Sequence, residues 1–112
     1  MNLREKIYGI DNEEISSSEK EAYIHFLGNL VGSITLLGEE AYEDYKKEIE
    51  KLVKKIYDAY LSDKDFRNAL TDLANRTNYG NASKYLCQLP SKYYDNYFKK
   101  LEEIRQRLIE NF

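Results

Sequence analysis

The sequence predicts an all-α fold: a single-domain antiparallel bundle of four main helices, with short helical turns at the start of the chain and before the last helix. Three observations carry this expectation. Leu and Ile dominate the aliphatic residues, while the 112-residue chain has only two Val and three Thr, residues that strands favour. Gly9, Gly38, Gly80 and the single proline, Pro90, fall where apolar periodicity breaks off. Between those breaks, apolar residues recur at steps of three and four, the spacing of one helix face.

Taken in order, residues 2–9 form a short helix with Leu3, Ile7 and Tyr8 turned inward. The polar "DNEEISSSE" follows, and Ser18 with Glu21 gives a capping-box signature for a helix reaching Leu37, with Gly38 as its stop. The next helix, "EEAYEDYKKEIEKLVKKIYDAYL", shows the clearest stripe: Tyr42, Tyr45, Ile49, Leu52, Ile56 and Tyr60, widened by Val53 and Tyr57. Glu43 with Lys47 and Glu50 with Lys54 stand at the four-residue spacing of its solvent face. Ser62 is placed to cap a third helix whose apolar side is Phe66, Ala69, Leu70 and Leu73, ended by "NRTNYGN". A turn at "ASKYLCQL" packs Tyr85, Leu86 and Leu89. Pro90 and Ser91 then start the last helix, striped by Tyr94, Tyr97, Leu101, Ile104, Leu108 and Phe112 and broadened by Phe98 and Ile109. A chain of this length supports one core, and helices joined by such short connections pack antiparallel.

The stretch Ala22 to Gly38 contains no formally charged residue, although Asp, Glu, Lys and Arg make up 33% of the chain. It is shorter than the ~20 apolar residues a membrane span needs, and His25, Asn29, Ser33 and Thr35 interrupt it, so it reads as a central bundle helix and no membrane role is expected. Gly28 and Gly32, one turn apart, suggest a strip where another helix packs closely, from the same chain or from a second copy. The chain is accordingly expected as a monomer or a homodimer.

The search for chemistry is mostly negative. The single His and single Cys lie far apart: His25 reads as a hydrogen-bonded structural imidazole and Cys87 as a small core residue. No phosphate loop, zinc-protease run or calcium loop is present, and the adjacent carboxylates Glu39/Glu40 and Glu102/Glu103 diverge on a helix. No catalytic residue, metal or cofactor is expected, and the chain reads as a non-enzyme. A lone cysteine and a start lacking an apolar export segment point to the cytoplasm.

Charge and tyrosine carry the functional expectation. From Asp11 to Glu50 eleven acids face three lysines, a balance of −8, whereas Arg76 to Arg107 balances at +4. Glu39, Glu40, Glu43, Asp44 and Glu48 form a candidate acidic ridge that would steer a basic protein, such as a nucleic-acid-binding one. The second candidate is "SKYYDNYFKK". Adjacent helical positions diverge by about 100°, so part of Tyr93, Tyr94, Tyr97 and Phe98 is expected at the surface beside Lys92, Lys99 and Lys100, as a protein hot spot or a base-stacking platform. The leading expectation is a small protein that binds and regulates or inhibits another macromolecule, in the manner of a mobile-element inhibitor of host defence. A nucleic-acid-binding module is the alternative, against which the net charge of −3 counts. Bacteriocin-immunity proteins offer a further analogy, at the level of size and helical class only.

Overall fold

The computed structural model describes residues 2–37 and 39–110, the side chains of Glu39, Ala41 and Ser83 excepted. The expected helix stop at Gly38 and the stripe residue Phe112 lie outside the described residues. Six helical units follow one another, and no strand occurs among the described residues. Helix α1 is Leu3–Tyr8. Helix α2 is a rod in three parts: Ser17–Tyr23, a π turn at Ile24–Gly28, and Asn29–Thr35. Helix α3 is Glu39–Ser62, α4 is Lys64–Arg76, and α5 is the short Ala82–Tyr85, extended by a 3-10 turn at Leu86–Gln88. Helix α6 is again a rod with a π turn: Ser91–Tyr93, Tyr94–Phe98, then Lys99–Glu110. The first part of α2 packs on α4 and its last part on the last part of α6, while α1 lies across α3 and the π turn of α2.

The all-α bundle is as the sequence predicts, and the helix starts show where local rules competed. Ser16, not Ser18, caps α2. Its hydroxyl accepts from Glu19 N at 3.2 Å while Ser16 N donates to Glu19 Oε1 at 2.8 Å, a complete capping box. Both serines fit the pattern, but the upstream register leaves the second oxygen of Glu19 for Arg67 Nε at 3.1 Å. Likewise Ser62 is still inside α3, donating back to Asp58 O, and the next residue, Asp63, caps α4 by accepting from Asp65 N and Phe66 N. A carboxylate reaches those amides as well as a hydroxyl does and adds a favourable charge at the positive helix end.

One residue therefore separates α3 from α4, and Arg67 holds that corner. Its side chain is buried, 4% exposed, and Nη1 donates to Tyr60 O at 2.9 Å and Leu61 O at 3.2 Å, carbonyls of the last turn of α3 that face a helix end. Nε meets Glu19, so a single guanidinium ties α2, α3 and α4 together. Two tyrosines extend the network: Tyr60 Oη donates to Glu19 O at 2.6 Å and Tyr23 Oη to Lys6 O at 2.7 Å, with the two rings 4.8 Å apart. The amphipathic patterns had no place for Arg67, because a charged residue beside Phe66 reads as solvent face.

Phe66 organises the other side of the corner. Its ring lies 5.3 Å from Tyr60, 5.1 Å from Tyr93, 4.7 Å from Tyr97 and 6.1 Å from Phe98, joining α4 to α3 and α6. The rest of the core follows the expected stripes: Phe26, Leu27, Leu30, Ile34, Ile49, Val53, Ile56, Leu70, Leu73, Leu101 and Ile104 are all buried. Tyr8 departs from expectation. It is 51% exposed, because α1 is barely two turns long and Ile7 with the following Ile10 already fills the space beneath it. Ile109 is also largely exposed, on the outer side of the α6 stripe.

Within this chain the glycine strip does not carry a close helix–helix contact. A Cβ on Gly28 would meet the ring of Tyr8 at 3.2–3.4 Å, so its close neighbour is one partly exposed side chain and not a helix backbone. A Cβ on Gly32 would meet nothing within 4 Å. Gly32→Ala is thus expected to stabilise the fold by about 0.5–1 kcal/mol through helix propensity alone, read as a raised melting temperature. A lowered one would restore the close packing expected from the sequence.

Arg67→Ala strands the Glu19 carboxylate and two carbonyls at once, and its expected cost is about 3–5 kcal/mol in denaturant unfolding. In a double-mutant cycle with Glu19→Gln, the losses should fall well short of additive, because both remove one contact. Additive losses would show that the ion pair is not what holds the corner.

Candidate functional site

The structure does not bring the acidic ridge together as a free surface along its whole length. Glu40, Glu43 and Asp44 are exposed on the first turns of α3, and the side chain of Glu39 lies outside the described residues. Glu48 is half-buried, and its Oε1 lies 3.7 Å from Lys100 Nζ. The open acidic patch is therefore Glu40, Glu43 and Asp44. Acids in the first turn of a helix also offset its positive end, so Glu40 has a structural use besides any binding role. Farther along, Lys54 pairs with Asp58 at 2.8 Å.

The aromatic and basic cluster is taken apart more thoroughly. Tyr93 and Phe98 are buried, and Tyr94 and Tyr97 are half-buried against the core. The π turn at Tyr94–Phe98 decides which of the four rings are fully inside. One turn there takes five residues, so Tyr93 and Phe98, five apart, face inward together. Tyr97 stacks on Phe66 and lies under Lys55, whose Nζ is 5.6 Å from the ring centroid and donates to Asn96 O. Lys92 covers the Tyr93 ring at 4.9 Å. Lys92, Lys99 and Lys100 remain exposed, but without a row of open aromatic faces between them.

Tyr94 donates a short hydrogen bond to Glu102 Oε2, and Glu102 Oε1 is buried without a hydrogen-bond partner among the described residues. Burial pushes the Glu102 carboxyl above the usual carboxylate range, against the opposing pull of the Tyr94 hydrogen bond and the Arg105 charge. Burial, then the same hydrogen bond, pushes the Tyr94 phenol up as well. Glu19 goes the other way. Its desolvation acts upward, but hydrogen bonds from Ser16 and Arg67 together outweigh it and hold the carboxyl below its ordinary value.

Cys87, expected in the core, is exposed. The 3-10 turn at Leu86–Gln88 points Leu86 inward and leaves Cys87 outside, its thiol directed to Lys84 O at 3.6 Å. His25 is hydrogen-bonded as expected, and half-buried. Its Nε2 lies 2.8 Å from Gly80 O, which can only accept, so Nε2 carries the hydrogen. Nδ1 then accepts from the Asn29 amide at 3.1 Å.

The loop that presents Gly80 is built by a Schellman ending of α4. Asn78 and Tyr79 both take the left-handed conformation, at φ 56° and 55°, while Asn78 N bonds Asn75 O and Tyr79 N bonds Ala74 O. Tyr79 then packs edge-on against His25 at 5.2 Å. Gly80 has no room for a side chain, since a Cβ would come within 2.7 Å of the Tyr85 ring. Beside this loop lies a polar pocket of about 390 Å³, lined in part by His25, Asn29, Ser33, Asn81 and Arg105. Sequence reasoning missed the pocket, because its residues lie on α2, the 80–82 loop and α6 and share no local pattern.

Among the described residues no group of three His, Cys, Asp or Glu is placed to hold a metal ion, and no helix is long and apolar enough to cross a membrane. No protein-family model, curated protein or solved structure matches the chain.

Glu19 and Glu102 should bend the pH dependence of stability in opposite senses. With its folded value lowered, Glu19 contributes stability that is complete above the unfolded carboxylate value of about 4.3 and is lost as pH falls through the folded one. With its folded value raised, Glu102 contributes most below the unfolded value, and that contribution is lost as pH rises to the folded one. Glu19→Gln should flatten the acid limb of stability against pH, and Glu102→Gln should raise stability at neutral pH relative to acid. Denaturant melts across both windows check this, and parallel curves for the two variants would contradict it.

Proposed function

We propose that this chain is a small non-enzymatic binding protein of the cytoplasm that regulates or inhibits another macromolecule, and that it docks the acidic start of α3 on a basic surface of a protein partner. The observation that supports the reading most is the exposure of Glu40, Glu43 and Asp44 together on two successive turns of a long helix anchored in the core by Ile49, Val53, Ile56 and Tyr60. Charges held on a rigid element steer encounter and suppress partners of like sign. A nucleic-acid-binding module is less well supported, because the rings that would stack on bases pack on Phe66 instead.

Reversing Glu40, Glu43 and Asp44 together to Lys tests the reading. Loss of favourable helix-end charge at Glu40 is expected to lower stability by about 0.3–1 kcal/mol, with helicity kept. Capture of the partner from the native host, quantified by mass spectrometry for wild type and variant, should then fall. With the captured protein in hand, its association rate should drop with the variant and lose most of its salt dependence. Equal capture and equal association rates, with the fold intact, would remove the acidic face from the interface. Single-stranded and duplex oligonucleotides should show no salt-sensitive binding to the wild type. Binding at low salt that weakens steeply as salt rises would favour the nucleic-acid reading instead.

A further inference from the structure

The pocket between α2, the 80–82 loop and α6 gathers polar side chains around one cation. Acids outnumber bases in the chain, 20 to 17, yet among the described residues no acidic side chain lines this pocket. Its cation is Arg105, half-buried on α6, whose Nε donates to Ser33 Oγ at 2.9 Å while that hydroxyl donates to Leu30 O at 2.9 Å. Arg67 and Arg76 each meet a carboxylate at 3.0–3.1 Å, whereas among the described residues Arg105 forms no ion pair. Its nearest electrostatic counterweight is Glu102, one turn earlier on the same helix, whose carboxyl is turned to Tyr94.

The hydroxyl clamp on Nε fixes the plane of the guanidinium and leaves its two terminal nitrogens to donate as a fork. Across the pocket, Asn29 spends one amide hydrogen on His25 Nδ1 and keeps the second. The imidazole is held in place by Gly80 O and Asn29, and the Schellman ending of α4 holds the loop that presents Gly80. The result is a set of donors on rigid elements, around a space large enough for a small molecule and too small for a folded partner.

We propose that this pocket binds a small molecule through an anionic oxygen group, a phosphate or a carboxylate, with the Arg105 fork as its principal contact and Asn29 as a second donor. Phosphate and carboxylate share the planar or near-planar pair of oxygens that a guanidinium grips with two bonds. The site is separate from the acidic face of α3 and does not depend on that face binding anything.

The only histidine in the chain borders the site and gives a single imidazole signal to watch by proton NMR. Inorganic phosphate and acetate are titrated separately into wild type at fixed pH, with sodium chloride holding ionic strength constant. A saturable movement of the His25 ring resonance is expected with at least one of them, and the tighter of the two assigns the phosphate-bearing or the carboxylate-bearing class. Arg105→Gln should weaken that binding at least about tenfold. Should Arg105→Gln fail to fold, Ser33→Ala keeps the charge but frees the fork, and a weaker affinity is expected there too. No movement with either anion, a movement that grows linearly without saturating, or equal affinity in wild type and the variant that folds would overturn the proposal.

Discussion

The bundle depends on one buried guanidinium. Arg67 sits where α3 turns into α4 across a single residue, and it answers three needs there at once: a counter-charge for Glu19, and donors for two carbonyls at the end of α3. Burying a cation is costly, and the cost is offset only when its hydrogens find partners of good geometry. That requirement propagates. Glu19 must stand at the third position of α2, which makes Ser16 its cap. Tyr60 must stay in register to present its carbonyl to Arg67, and its hydroxyl then reaches Glu19 O. A register slip in any of the three helices would leave a charge or carbonyl unpaired inside the protein, a penalty that apolar packing alone does not impose.

The apolar half of the same corner works by shape. Phe66 precedes Arg67 and, about 100° round the helix, packs into Tyr93, Tyr97 and Phe98. Three large rings reach one neighbour from a short stretch of α6 because the helix widens to a π turn there. A regular α-helix would turn Tyr93 and Phe98 about 140° apart and push one of them into water. The second π turn, Ile24–Gly28, does comparable work in α2. It places Phe26 and Leu27 in the core while His25 reaches the 80–82 loop. π turns cost hydrogen-bond geometry, and both of these lie where side chains must converge on a fixed neighbour.

What the sequence made legible follows from this division. Stripes at steps of three and four are set by apolar burial, and they identified α3, α4 and most of the buried residues of α2 and α6. Features set by long-range polar contacts left no local trace. Nothing around residue 67 marks an arginine as core, because its partners Glu19, Tyr60 and Leu61 are brought to it only by the fold. Two serines offered equivalent caps for α2, and the choice fell to a contact 48 residues away. In the Tyr-rich segment part of the cluster does reach the surface, at Tyr94 and Tyr97, but which rings are buried was not legible: the helical wheel assumes a constant step of about 100°, and the π turn breaks it. Cys87 was assigned by residue type to the core, and a three-residue 3-10 turn faced it outward. Of the candidate sites, the acidic patch was legible in part, whereas the Arg105 pocket draws on three separated segments and was not.

The placement of charge then has a consequence for how the molecule meets others. The lysines of the last third are largely occupied close to home: Lys100 by Glu48, and Lys92 by the face of Tyr93, while Lys55 of α3 closes over Tyr97. The Lys100–Glu48 and Lys55–Tyr97 contacts knit α3 to α6. Among the described residues the start of α3 has no such ion pair, since Glu40, Glu43 and Asp44 are exposed and their helix is anchored a turn or more away. Exposed charge that is not used to hold the fold costs little to keep and is open to selection by a partner, whereas charge tied into helix contacts is not. The electrical two-sidedness seen along the sequence thus becomes, in three dimensions, an open acidic end on α3 and an exposed basic stretch on α6 whose Lys92 and Lys100 also have contacts close to home.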